Sequence, residues 1–267
     1  MKKHILFVDS QDRDVSQYPT QTKYRIRFPR TYRNIYRAVL AEAIVPESFD
    51  QWGPGAIIRL GPVGVPIQNI AIPSFTYSGT NGGTVLTTNI KASLEAAYVG
   101  KTFTVQYLQG TGNLRALKVS CVQGDALIIE VGIDPVSTRY AGYLGFSATT
   151  TGTTLQSLHS VNLRPIAYLI MDVSPLNHVE EGGIGSHDTG RRCFAKIPFV
   201  GTDIDTPSHV LFGDGISGNV VDIDPPSGKI DFIDVSFRTH TGDTVDFKNV
   251  DHSFTLHLYQ MVEQNDT

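Results

Sequence analysis

The apolar residues of this chain come in short runs, and that limits what it can fold into. HILFV (4–8), AIIRL (56–60), TFTVQYL (102–108), ALKVSCV (116–122) and ALIIEVG (126–132) are each of strand length. IAYLIMDV (166–173), CFAKIPFV (193–200), HVLF (209–212), KIDFIDVSF (229–237) and SFTLHLYQM (253–261) continue the series. Gly, Pro, Asp or Ser separates most of them, as turn residues separate strands. The clearest case is Lys23–Phe28, KYRIRF, which alternates strictly. Side chains two apart on a strand share a face, so Tyr24, Ile26 and Phe28 point inward while Lys23, Arg25 and Arg27 point outward. Pro29 is expected to end that strand. YRAVLAEAIV (36–45) reads as a strand because β-branched residues and Pro46 flank its Ala and Glu.

The expected fold class is therefore all-β. Four strand candidates precede residue 61 and at least four follow residue 160, enough for a jelly-roll-like antiparallel β-sandwich. Residues 1–60 and 160–267 would form that sandwich. Residues 61–150 would be a mainly β insertion containing a short helix, IKASLEAAY, capped by Asn89. SGTNGGT (78–84) reads as a turn cluster, SATTTGTT (147–154) as an exposed loop, and 151–159 as a linker. THTGDTVDF (239–247) reads as a hairpin around Gly242-Asp243. The tail EQNDT is polar and expected to fray.

Charge narrows the function classes. Net charge is −4 over 267 residues, which does not suit wholesale binding to nucleic acid or membrane. It is unevenly spread: residues 1–40 hold nine Lys/Arg and three Asp, while the rest carries a balance of −10. The two cysteines, Cys121 and Cys193, lie in strand-like runs with no CxxC, so they read as buried free thiols in a reducing compartment. MKKHILFVD starts like a signal peptide, but Asp9 cuts the apolar run short. No window is long and apolar enough for a membrane span. The sequence reads as a soluble protein without a recognisable secretion signal.

The chemical motifs fail on spacing. Asp9, Asp12 and Asp14 do not match a calcium loop, which needs carboxylates at positions 1, 3 and 5, a Gly at 6 and a Glu at 12. Their alternative role is to bond nearby backbone N–H groups and end the first strand. VGKT (99–102) lacks the first glycine of a phosphate loop, since Glu95 stands there. His178 and His187 share a Gly-rich loop with Asp188 but lack converging ligands. No G-x-S-x-G elbow occurs. Asp222, Asp224, Asp231 and Asp234 could include a glycosidase pair only if space brought two of them together. No catalytic, cofactor or metal site is therefore assigned.

What remains is a basic segment. Lys23, Arg25, Arg27, Arg30, Arg33 and Arg37 are interleaved with Tyr24, Tyr32 and Tyr36. Arg and Tyr are enriched at protein interfaces, so these six cations are the candidate interface. A solvated strand face is the alternative, and the acidic body argues against nucleic acid.

The same region carries a family likeness. FVDSQDRDVSQYPTQTKYRIRFPRTYRNIYRAVLAEAIVPESF resembles the opening of minor capsid proteins of nucleocytoplasmic large DNA viruses such as chloroviruses. The matching pieces are Asp9-Ser10, Asp12-Arg13-Asp14, Tyr18-Pro19, the strand ending at Pro29, Tyr32, Asn34-Ile35 and Val45-Pro46-Glu47-Ser48; Gln11 departs from the pattern. YLGF (143–146), CFAKIPF (193–199) and DFKNVDHSFTLHL (246–258) are weaker echoes. The resemblance implies a jelly-roll-like fold and a non-enzymatic structural role in the virion, assembled inside the host cell. It implies major capsid protein and other minor capsid proteins as partners, with this chain cementing capsomers. Kept open beside it are a receptor- or carbohydrate-binding sandwich at the virion vertex, a hydrolase on the same scaffold, and contact with genomic DNA on the inner face.

Overall fold

The alternating N-terminal runs become three strands: β1 (Lys2–Asp9), β2 (Lys23–Tyr32) and β3 (Ile35–Val45). The structure is a computed structural model describing residues 1–53, 55–74, 81–109, 115–163, 165–177, 179–180, 192–199, 208–211 and 220–262. His178, His187, most of the 178–192 loop, Phe212 and the EQNDT tail lie outside the described residues. The chain divides into two compact units, Met1–Phe49 with Ile166–Thr267, and Asp50–Pro165.

The second unit contains β4 (Ile57–Pro62), β5 (Asn69–Ala71), α1 (Gly82–Ala97), β6 (Phe103–Gln109), β7 (Arg115–Cys121), β8 (Leu127–Glu130), α2 (Pro135–Tyr143), β9 (Thr150–Gly152) and β10 (Thr154–Gln156). Its sheets run β5-β4-β8-β9 and β10-β7-β6. Trp52, Ile58, Leu60, Leu86, Ile90, Leu94, Phe103 and Leu117 are among its buried core residues. AIIRL, expected among the sandwich strands, instead becomes β4 and pairs with β5 and β8. Part of the expected linker forms β10 against Lys118–Ser120 of β7. Threonines favour strands because their branched side chains fit a pleated surface.

Both helices differ from expectation. α1 begins at Gly82 rather than at Asn89, so Asn89 lies mid-helix. One glycine that read as part of a turn instead allows close approach: a Cβ on Gly83 would collide with the Tyr107 ring on β6. α2 was not expected. Its start signal is nonetheless present, because Asp134 accepts a hydrogen bond from Ser137 N at 2.8 Å and Pro135 occupies the first turn.

The first unit continues with β11 (Tyr168–Ser174), β12 (Val179–Glu180), β13 (Arg192–Cys193), β14 (Ala195–Pro198), β15 (Ser208–Leu211), β16 (Val220–Ser227), β17 (Ile230–Thr239) and β18 (Ser253–Gln260). One antiparallel sheet runs β1-β18-β3, with β15 and β16 both pairing β3. The other runs β14-β11-β17-β2. If β1, β2, β3, β11, β14, β16, β17 and β18 are counted one to eight, the sheets read 1-8-3-6 and 5-4-7-2. That interleaving is a jelly roll, in which strands adjacent in sequence mostly fall in opposite sheets. Val8, Leu40, Leu256 and Leu258 of one sheet meet Tyr24, Met171, Val235 and Phe237 of the other in one buried core.

Pro29 does not end β2, which runs on to Tyr32. It falls where the β2–β17 register shifts between the Arg27–Phe232 and Tyr32–Ile230 pairs. Among the described residues β2 is an edge strand of its sheet, and edges and bulges are where a strand tolerates the missing N–H. Cys121 and Cys193 are both buried, and no disulfide joins them.

Candidate protein interface

The Asp-rich opening is tied to the far end of the chain. Asp9 Oδ1 accepts from Gln11 N at 2.8 Å and Asp14 Oδ1 from Ser16 N at 3.0 Å, the turn chemistry expected of these residues. Asp251 Oδ1 accepts from Ser10 Oγ at 2.8 Å, Gln21 Nε2 at 3.0 Å and Arg13 Nη1 at 3.3 Å. Arg13 also donates to the carbonyls of Ser10 (2.6 Å) and Tyr18 (3.0 Å). The Gln21 and Ser10 hydrogen bonds, with the Arg13 charge, hold the Asp251 carboxyl below its usual range.

Beside this network the His252 ring lies 4.7 Å from Phe237 and 4.8 Å from Phe247, centroid to centroid, and His252 Nε2 is 2.8 Å from the Tyr24 hydroxyl. Burial favours the uncharged imidazole and pulls its pKa down to about 4. Burial also pushes the Tyr24 phenol well above its usual value. The segment around Ser10–Tyr24 is thus a polar and aromatic staple to Asp251-His252. No spacing pattern could announce it, because the partners lie about 230 to 240 residues apart.

The six candidate cations are split between places. Lys23, Arg25 and Arg27 lie on β2, where Lys23 and Arg27 are exposed. Arg25 is bound by Asp234 on β17, with Nε–Oδ1 at 2.7 Å and Nη2–Oδ2 at 2.8 Å, and sits 3.9 Å over the Phe232 ring. Hydrogen bonding to Asp234 holds its guanidinium pKa above the ordinary value. Arg37 is on β3 in the opposite sheet, paired with Asp222 on β16 at 2.6 and 3.2 Å. Arg30 reaches His4 Nδ1 at 3.1 Å. Arg33 is exposed in the β2–β3 turn, beside Asn34 at φ 53°.

The cations therefore do not form one continuous patch. Two are largely neutralised by facing carboxylates, which sequence alone could not pair. Lys23, Arg27 and Arg33 remain exposed, with no ion pair among the described residues.

A second surface was not singled out from the sequence. Ile5 and Phe7 on β1 are 53% and 82% exposed. The alternation of HILFV places both on the face opposite His4, Leu6 and Val8, which is the signal that could have flagged them. Phe7 lines a groove of about 280 Å³ with Asp9, Asp12, Glu42, Ile44 and Thr255. Among the described residues, no helix is long and apolar enough to cross a membrane.

No family model matches the chain, and no curated protein matches it. Among solved structures it is similar to the mavirus penton protein, in its selenomethionine-labelled crystal form, with a TM-score of 0.52. That alignment has 10% sequence identity and covers 97% of this chain and 100% of that one, so the likeness is one of fold over the whole length.

Proposed function

We propose that this chain is a non-enzymatic structural protein of an icosahedral viral capsid, acting through contacts with other capsid proteins. The observation that carries the proposal is the jelly-roll topology of the first unit, taken with the likeness in fold to a penton protein over 97% of the chain. The N-terminal resemblance to minor capsid proteins supports it independently. In this reading the chain cements capsomers, with major capsid protein and other minor capsid proteins as neighbours. Lys23, Arg27 and Arg33 meet acidic neighbouring surfaces, where opposite potentials fix register.

The full-length match favours a second reading, that the chain is itself a penton subunit rather than a cement between capsomers. A density map of the intact particle with this chain placed in it tests both. Copies lying between capsomers support cementing, and copies at the fivefold vertices support the penton role. Absence of the chain from purified particles overturns the capsid proposal.

A further inference from the structure

The exposed edge of the sandwich is polarised along β1. At one end Lys2 pairs across to Gln260, Gln260 pairs to Ile35, and Met261 N bonds Asn34 O at 2.9 Å, so the β2–β3 turn sits beside the start of β1. Lys2, Arg30 and Arg33 are exposed there. At the other end β1 runs into Asp9 and the Ser10–Asp12 turn, where the Phe7 groove opens. An eight-residue strand places these ends roughly 25 Å apart. One end is cationic. The other combines an apolar floor with an acidic rim.

Three observations favour one occupant for the groove. Phe7 is 82% exposed on a strand that pairs only with β18 among the described residues, so apolar surface and strand edge are open together. Asp12 is exposed and has no partner among the described residues, so its charge is available to an incoming cation. Arg33, equally exposed and unpartnered among those residues, supplies such a cation from the opposite end of the same edge. A groove of about 280 Å³ is large enough for one long side chain. The complementary halves are thus both present on this chain but too far apart to meet within one molecule.

We propose that a second copy of the chain inserts its Arg33 turn into the Phe7–Asp12 groove of the first. The two surfaces differ, so the contact is heterologous and repeats from copy to copy until rotation closes a ring. This deepens the structural-protein proposal and rests on it. Self-association of the purified chain tests the contact alone, whereas presence in particles tests the capsid role separately.

The test is sedimentation and native mass spectrometry of the full-length chain, with thermal melting as a check on folding. Wild type is expected to form a discrete oligomer that weakens as salt is raised. Asp12→Lys and Arg33→Asp, each alone, place like charges across the contact and should weaken association about tenfold or more. Mixed together they should reassemble, since each variant supplies what the other's altered surface needs. Phe7→Ser should weaken association at any salt concentration. A wild-type chain that stays monomeric overturns the proposal, as do folded single variants that assemble like wild type or a mixture that fails to reassemble.

Discussion

At the residue scale, stability concentrates where the two ends of the chain meet. Arg13 is largely buried and its donors are satisfied by Asp251 and two carbonyls, so Arg13→Ala leaves those acceptors short of partners. We expect a loss of about 2 kcal/mol in urea denaturation. His252 gives the molecule an acid limit. Its pKa falls from 6.5 to about 4 on folding, so between those values the unfolded chain binds a proton that the folded chain refuses. Stability therefore falls as pH drops through that window, by up to about 3 kcal/mol. Asp251, whose carboxyl is held low, adds to the loss at still lower pH. His252→Gln removes the titration, so its stability should be lower at pH 7 but flatter between pH 7 and 4.5. An unchanged slope in that variant would place the acid sensitivity elsewhere.

At the element scale, the structure separates cations that hold strands together from cations that face outward. Arg25 and Asp234 are directly cross-strand between β2 and β17. Arg25→Glu puts like charges opposite each other and forfeits the stacking on Phe232, which should lower the urea denaturation midpoint. Lys23→Glu with Arg27→Glu should change folding stability by no more than about 0.5 kcal/mol, since neither residue holds an ion pair among the described residues. On the capsid proposal, that double variant folds yet fails to enter particles, which quantitation in purified particles measures. In the second unit, Asp134→Ala removes the N-cap of α2 and should lower the melting temperature. Strand positions were readable because a two-residue period survives any tertiary setting. The extent of α1 was not, because Gly82 and Gly83 look like turn residues until the Tyr107 ring is seen against Gly83. Pro29 was misread for a related reason: only the pairing shows that β2 is an edge strand with a bulge.

At the scale of the whole molecule, each unit has its own buried cluster, and the two clusters share no residue. We expect residues 50–165 expressed alone to fold cooperatively, giving a single thermal transition and dispersed amide signals. A disordered spectrum would show that the second unit depends on the first. By itself the sequence determined the all-β class, most strand positions, the turn chemistry of Asp9 and Asp14, and the inward and outward faces of β2. These follow from local rules of period and side-chain reach. Only the tertiary structure decided that the strands interleave as 1-8-3-6 and 5-4-7-2, and that AIIRL belongs to the second unit. It alone also decided that Asp234 and Asp222 take up Arg25 and Arg37, and that Phe7 lies open above Asp12. Those outcomes depend on residues far apart in the chain meeting in space, and a carboxylate neutralises only the cation that the fold places opposite it.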